Sequence, residues 1–187
     1  MDINTYCSKY FKYVDFIECS DTQKAVRVDN IPQQTKTFES IAYLANTILD
    51  PVYEKFGALN LTYGLCSHNL QKHIKKNVAP NLDQHAGSEL NSKGNLICPR
   101  EGFAVDFKVE NITTDNIARY IVENLQFDRL YFYGRNRPVH VSATTAKSCK
   151  NIVVFNNSAI RRTPQNMTAN QFIEHISDLD DQEKKSD

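Results

Sequence analysis

The chain has 187 residues, 41% of them hydrophobic, which predicts one domain with a substantial core and leaves little room for two. Lys plus Arg and Asp plus Glu each number 22, so a net charge of zero argues against a nucleic-acid binder that relies on an overall positive field. There is no apolar run of about 18 residues and no basic segment followed by an apolar one, so we expect no membrane partner.

The five cysteines are widely separated, odd in number, and include no C-x-x-C pair. This usage disfavours a disulfide framework and an all-cysteine zinc site. Reduced thiols suit a reducing compartment best, and the expected location is therefore cytoplasmic.

The first half of the chain predicts helices around one short strand. Residues 1–36 form an aromatic-rich arm that we expect to pack on the core. Apolar spacing predicts a helix over 37–49 closed by Asp50 and Pro51, a helical turn ending at Gly57, and a strand over 59–65. A helix over 69–78 carries a basic cluster, which is either a solvated face or a phosphate-contacting patch. That cluster consists of Lys72, His73, Lys75 and Lys76.

A long polar loop follows over 80–95, and long loops in compact domains often carry function. Within it, His85 lies between Asp83 and Glu89, either of which can accept a hydrogen bond from one ring nitrogen and fix the tautomer that a metal needs. His85 is therefore a candidate metal ligand. The alternative is an ordinary loop histidine.

Two later segments alternate with the two-residue period of a half-buried strand. In 103–109 the apolar residues occupy one side and Asp106 the other. In 138–142, Val139 and Val141 take the apolar side, so His140 and Ser142 point the opposite way. If the strands are neighbours, Asp106 and His140 converge into a metal or acid/base site. The alternative is two unrelated polar residues on a solvated sheet face.

The remaining pattern predicts a helix from a Thr113 cap to about residue 125, an aromatic strand over 127–134 that forms a hairpin with the His140 strand, a strand over 151–155, and a last helix over 167–176. Residues 177–187 are charged, and we expect a disordered tail. The fold class is α+β. A domain over 37–176 has a central, mostly antiparallel sheet, helices on one face and the polar site on the other.

Gly102, Ala104 and Asp106, followed about thirty residues later by His140, resemble the zinc D-Ala-D-Ala carboxypeptidases, which share a fold with the Hedgehog signalling domain. That family's pattern is Ser-x-His-x-x-Gly-x-Ala-x-Asp, a helix, and a strand with a final His. Its first His, its Asp and its last His hold zinc. Pro99 stands where the first His belongs.

The resemblance covers about residues 37–156 and implies a Hedgehog/DD-peptidase-like fold with zinc as the cofactor. Asp106 and His140 are the implied ligands. His85 is the substitute for the missing first His, and Cys98, one residue from the lost position, is its rival because thiolates bind zinc well.

Two departures bear on the chemistry. The family carries a catalytic Glu or Asp shortly before the last His, and at a spacing of three this sequence has Arg137. The family's carboxylate-binding Arg is also missing from the strand over 59–65. A guanidinium is no base near neutral pH but binds phosphate or carboxylate bidentately. Arg137 and Arg100 are therefore the candidate catalytic residues of a divergent metallopeptidase-like hydrolase.

The substrate of such a hydrolase would be a small peptide or a phosphate-bearing molecule. Four residues are expected to contact it: Tyr133, Arg135, Ser142 and Glu101. The alternative is a non-catalytic relative that has lost its metal and binds an anionic partner such as nucleic acid. Its contacts would come from the 72–76 cluster and from Arg100, Arg135, Arg137, Arg161 and Arg162.

Overall fold

The computed structural model describes residues 1–74, 79, 81–157 and 162–183. Its strands are β1 (Leu59–Tyr63), β2 (Phe103–Val109), β3 (Arg129–Phe132), β4 (Val139–Ala143), β5 (Asn151–Asn157) and β6 (Arg162–Met167). They form one sheet in the order β1-β2-β4-β3-β5-β6. Neighbouring strands are antiparallel except β3 and β5, which run parallel. The predicted α+β class is confirmed.

The helices are α1 (Tyr13–Glu18), α2 (Asp21–Val26), α3 (Thr35–Leu44), α4 (Asp50–Phe56), α5 (His68–Gln71), α6 (Thr114–Asn124) and α7 (Ala169–Glu183). The apolar sides of the strands, such as Val105 and Phe107 of β2 and Val141 of β4, share one core with Ile41 of α3 and Ile117 of α6. None of the described helices is long and apolar enough to cross a membrane.

The predicted stop at Asp50 and Pro51 is wrong. One π-helical turn, Ala45–Leu49, joins α3 to α4, and the helical run ends only at Gly57, which has a φ of 94°. Pro51 falls in the first turn of α4, where a missing N–H costs least, and the wide π turn before it relieves the clash of its ring with the preceding carbonyls.

Two other helices differ in length from their predictions. α5 is capped at its start by Ser67, whose hydroxyl accepts the N–H of Leu70, and it ends at Gln71. Lys72 and His73 of the basic cluster therefore follow the helix. Residues 75 and 76 lie outside the described part. α7 continues to Glu183 instead of ending near Ile176, because Phe172, Ile176 and Leu179 form one apolar stripe packed on the core. Helix therefore extends into the segment expected to be a disordered tail.

The N-terminal arm is tied to the core by both apolar and polar contacts. Phe16 is fully buried and its ring packs edge-on against Phe103 of β2 at 6.1 Å. The buried amide of Asn30 donates to the carbonyls of Ile17 and Leu65 and accepts the N–H of Ser67. Residues 1–36 thus contact both the first strand region and the sheet.

The other face of the sheet is polar and is partly covered by the loop of residues 81–102. Arg129 of β3 donates to the carbonyl of Leu82 at 2.7 Å, and Ser142 of β4 donates to Gln84 Oε1 at 2.8 Å. These contacts bring the loop over one end of β3 and β4. Asp106 and His140 lie on this face, further along β2 and β4.

Candidate metal centre

The alternation of β2 and β4 places Asp106 and His140 side by side. The two residues are register partners in the antiparallel pair, and Asp106 Oδ1 lies 2.8 Å from His140 Nδ1. The strands are neighbours, as the convergence of these two side chains requires. Tyr131 of β3 is the partner of His140 on its other side, and its ring stacks on the imidazole at 4.5 Å.

The loop brings His85 to the same place. His85 Nε2 lies 3.4 Å from Asp106 Oδ1, and one ligand atom from each of His85, Asp106 and His140 falls within 4.8 Å of the others. Both imidazoles are buried, with 2% or less of the side chain exposed, whereas 25% of the Asp106 side chain is exposed. Solvent therefore reaches the cluster through the carboxylate.

The tautomer of His85 follows from its neighbours. Its Nδ1 lies 2.9 Å from the carbonyl oxygen of Gly64, which can only accept, so Nδ1 carries a proton and donates it. Nε2 then faces a carboxylate oxygen. In that position Nε2 must either carry a second proton or give its lone pair to a cation that the carboxylate also contacts.

Without a cation, the charges settle this choice in favour of the proton. Burial lowers the pKa of His85, but the carboxylates of Asp83 and Asp106 outweigh it and raise the pKa to about 9. Burial likewise raises the pKa of Asp106, and the two imidazoles outweigh it and hold that pKa well below its usual range. Without a cation, these shifts favour an ion pair between the buried His85 imidazolium and the partly exposed Asp106 carboxylate.

Among the described residues, only one of the two ring nitrogens of His140 has a hydrogen-bond partner. Its Nε2 is buried and has no hydrogen-bond partner among the described residues. If Nδ1 donates to Asp106, the lone pair of Nε2 is unused. If Nδ1 gives its lone pair to a cation, Nε2 holds a proton without an acceptor. The protein part of the site thus leaves His140 incompletely satisfied in either tautomer.

Two of the three ligand-atom distances are close to those of a small transition-metal site, and all three atoms lie within 4.8 Å of one another. Tetrahedral coordination with bonds of about 2.0–2.2 Å separates ligand atoms by about 3.4 Å. The distance from His85 Nε2 to Asp106 Oδ1 already has this value, and the 2.8 Å between Asp106 and His140 needs a shift of about half an ångström. Imidazole and carboxylate ligands suit zinc, and three protein ligands leave one position open. The group can therefore bind a metal.

Cys98, the rival third ligand, lies elsewhere. Its side chain is buried in a small apolar cluster with Ala86 and Ile97. In the part of the chain that the structure describes, the one group with metal-ligand spacing is His85, Asp106 and His140. Of the two substitutes for the missing first His, the structure therefore brings His85 and not Cys98 to Asp106 and His140.

Arg100 and Glu101 make contacts at the end of the loop. Arg100 pairs through two nitrogens with Asp128, whose side chain is fully buried, and its Nε lies 2.6 Å from Asp128 Oδ2. Glu101 is exposed and pairs with Lys36 at 3.8 Å. Burial raises the pKa of Asp128, but the bonds from Arg100 and from the N–H of Cys149 outweigh it and lower the pKa.

Arg135 and Arg137 lie in the turn between β3 and β4, which docks on the start of α6. Arg135 pairs with the buried carboxylate of Asp115 at 2.9 Å. The carbonyl of Arg137 accepts the hydroxyl of Thr114 at 2.5 Å, and the Arg137 side chain is exposed. Both contacts join the turn to a helix on the apolar side of the sheet.

The other two predicted substrate contacts lie on the polar face. Tyr133 follows Tyr131 by two residues, and its ring stacks on Phe155 of β5 at 4.8 Å. Ser142 is fully buried beneath the loop, where it donates to Gln84. Sequence reasoning missed Gln84 and Tyr131. Alternation with Leu130 and Phe132 would have placed Tyr131 on the face of His140, but no local pattern marks Gln84.

Comparisons of this chain with protein-family models, with curated proteins and with solved structures found no match. The feature that points to a function is therefore the geometry of His85, Asp106 and His140.

Proposed function

We propose that the chain is a divergent zinc-dependent hydrolase, similar to the zinc D-Ala-D-Ala carboxypeptidases, in which His85, Asp106 and His140 hold the metal. The observation that carries the proposal is the orientation of His85. The Gly64 carbonyl accepts a hydrogen bond from Nδ1, so Nε2 faces Asp106 Oδ1, the oxygen that also lies 2.8 Å from His140 Nδ1.

The surroundings support metal binding in two further ways. A ligating histidine usually donates its second nitrogen to a carbonyl or carboxylate, as His85 does to Gly64. The imidazoles are buried while Asp106 is partly exposed, so the site excludes bulk water and still has an entry path. Bound zinc would supply a Lewis acid that polarises a carbonyl or phosphoryl group and acidifies a water molecule.

The chain's own residues restrict the reaction. Arg137 takes the place of the family's carboxylate base and cannot accept a proton, and its exposed side chain lies in the turn that docks on α6. The carboxylate of Asp83 accepts the N–H groups of His85 and Ala79 and so helps to hold the loop. We therefore assign no carboxylate base, and the proposed substrate is a small peptide or a phosphate-bearing molecule.

The second candidate function is non-catalytic binding of an anionic partner such as nucleic acid. The exposed Arg137 beside the cluster strand favours it. Arg100 and Arg135, however, are paired with the buried carboxylates of Asp128 and Asp115 and are poorly placed to recruit phosphates. Arg161 lies outside the described residues. The hydrolase is therefore the first choice.

The first experiment measures zinc per chain by elemental analysis after purification without an affinity tag or chelator. We expect about one zinc in the wild type and little in His85→Ala, Asp106→Asn and His140→Ala, because each removes one of three ligands. His73→Ala, at an exposed position outside the cluster, is the matched control and should keep the metal. Equal zinc in all variants, or no uptake by the wild type, would contradict the proposal.

A second experiment separates the two functions. The zinc-loaded protein is assayed on short peptides and phosphate esters, with chelation and zinc re-addition as the control. Single-stranded nucleic acid binding is measured over a range of salt, where phosphate contacts give a linear loss of log affinity with log salt. Zinc-dependent turnover supports the hydrolase. Salt-dependent binding that persists without zinc, and no turnover, supports the binding protein.

A further inference from the structure

Gln84, the residue before His85, has an unusual backbone. It is fully buried, and its φ of 65° lies in the left-handed region that a residue with a side chain rarely adopts. Such a conformation costs free energy and persists where the surroundings hold it in place. The contacts that hold Gln84 in this conformation also fix where the backbone of His85 begins.

Three hydrogen bonds hold the Gln84 amide. Nε2 donates to the carbonyl of Glu101 at 2.6 Å and to Asp128 Oδ2 at 3.1 Å, and Oε1 accepts the hydroxyl of Ser142 at 2.8 Å. Because the first two partners can only accept, the amide has one possible orientation. Asp128 is itself fixed by Arg100 and by the N–H of Cys149.

These partners belong to three parts of the sheet. Glu101 leads into β2, Asp128 leads into β3, and Ser142 lies in β4, two residues from His140. One side chain thus ties the loop to the strands that carry Asp106 and His140. The N–H of Gly87 also donates to the Gln84 carbonyl, and the N–H of Cys66 donates to the His85 carbonyl at 2.9 Å.

We infer that Gln84 is a positioning residue for His85: its amide holds the loop against the sheet so that His85 Nε2 points at Asp106. This inference rests on the proposed metal site. The role is a mechanical one. Gln84 acts through His85 and contacts neither the metal nor a substrate.

The test uses Gln84→Met, which keeps the length of the side chain and removes all three hydrogen bonds. Gln126→Met, at an exposed position, is the matched control. Zinc affinity is measured by competition with a chromophoric chelator. Outer residues that orient a metal ligand typically contribute 10- to 100-fold to affinity, so we expect a loss of about that size in Gln84→Met and none in the control.

A double-variant cycle distinguishes positioning from general destabilisation. If Gln84 acts through His85, Gln84→Met should weaken zinc binding much less in a His85→Ala background, where that ligand is already gone. The same fold-loss in both backgrounds, or an unchanged affinity in Gln84→Met alone, would overturn the inference. Cobalt substitution adds a spectroscopic check, because loss of one imidazole changes the intensity of the visible bands.

A measurement on the metal-free protein keeps the inference testable if the proposed function fails. Amide hydrogen exchange of Cys66 reports whether the His85 carbonyl stays in place. We expect Gln84→Met to reduce the protection of the Cys66 amide at least tenfold while the amides of β4 keep theirs. Unchanged protection of Cys66 would overturn the positioning role. A wild type that binds no zinc would overturn the proposed function alone.

Discussion

Asp128 accepts four hydrogen bonds in a fully buried position, from two nitrogens of Arg100, from Gln84 and from the N–H of Cys149. Each carboxylate oxygen of Asp128 thus accepts two hydrogen bonds from charged or polar donors. A buried carboxylate in such a setting is expensive to disturb, because removal of its charge leaves a guanidinium and an amide without a partner. The loop that carries His85 depends on this residue.

Asp128→Asn replaces one acceptor oxygen with a donor that faces other donors, and we expect a loss of about 3–5 kcal/mol in the free energy of unfolding at neutral pH. The lowered pKa of Asp128 also predicts a pH dependence. Its contribution is complete above the unfolded-state value of about 4 and is lost as pH falls through the lower folded-state value.

Urea unfolding between pH 2.5 and 7 measures both effects. The wild type should lose stability more steeply below about pH 4 than Asp128→Asn does. Glu123→Gln, on the exposed side of α6, is the control and should follow the wild-type curve. Parallel acid profiles for the wild type and Asp128→Asn would contradict the assignment of this carboxylate as a charged anchor.

Gly102 offers a second prediction for a single residue. Its φ is 109°, and a Cβ atom there would lie 2.3 Å from the carbonyl oxygen of Ala143. Gly94, in the same loop, has a φ of 77° but nothing within 4 Å of such an atom. We expect Gly94→Ala to cost about 1 kcal/mol from backbone strain alone and Gly102→Ala at least about 3 kcal/mol. Equal losses in denaturant unfolding would show that the contact with Ala143 is unimportant.

At the level of elements, the strands with one buried face were the most predictable. The two-residue period of β2 and β4 predicts which face of the sheet carries Asp106, His140 and Ser142. A shift of the strand register by one residue would turn every apolar neighbour away from the core. The position of His85 was not predictable in this way. It depends on Gln84, whose partners Asp128 and Ser142 lie 44 and 58 residues away in the chain.

The helices show where local rules fail. Pro51 normally ends a helix, but here a π turn places it in the first turn of α4, and packing of Leu49 and Val52 in the core outweighs the local preference. The charge of the C-terminal segment predicts a disordered tail. Leu179 extends the apolar stripe of α7 and packs on the core beyond the helix predicted from the sequence.

The packing of α7 on the sheet predicts unequal losses of stability at two adjacent residues. The Phe172 ring is fully buried and packs edge-on against Phe132 of β3 at 5.6 Å, whereas the adjacent Ile173 is only partly buried. Phe172→Ala should cost about 3–5 kcal/mol, the usual range for a buried aromatic, and Ile173→Ala distinctly less. Both free energies come from urea unfolding. A larger loss for Ile173→Ala would contradict the packing of α7 on the sheet.

For the molecule as a whole, a metal at the cluster would join three parts of the chain that are far apart in sequence. Zinc that binds the folded state alone stabilises it by mass action, by about 2.7 kcal/mol at a free concentration 100 times the dissociation constant. We expect a corresponding rise in the melting temperature with zinc and none with magnesium, which prefers oxygen ligands. His140→Ala should show no rise, and an equal rise there would locate the zinc elsewhere.

The tip of the loop, residues 92–96, is exposed, and the segments on both sides of it are anchored. Before the tip, the Glu89 carboxylate binds the N–H groups of Gln33 and Gln34 and the hydroxyl of Thr37; after it, Arg100 is bound to Asp128. Trypsin cleavage at Lys93 would therefore leave two fragments that remain associated, one carrying His85 and the other Asp106 and His140. If the two halves were co-expressed as separate chains, the cluster would form only when they assemble. The loop tip is therefore a suitable point at which to divide the protein or to insert another domain.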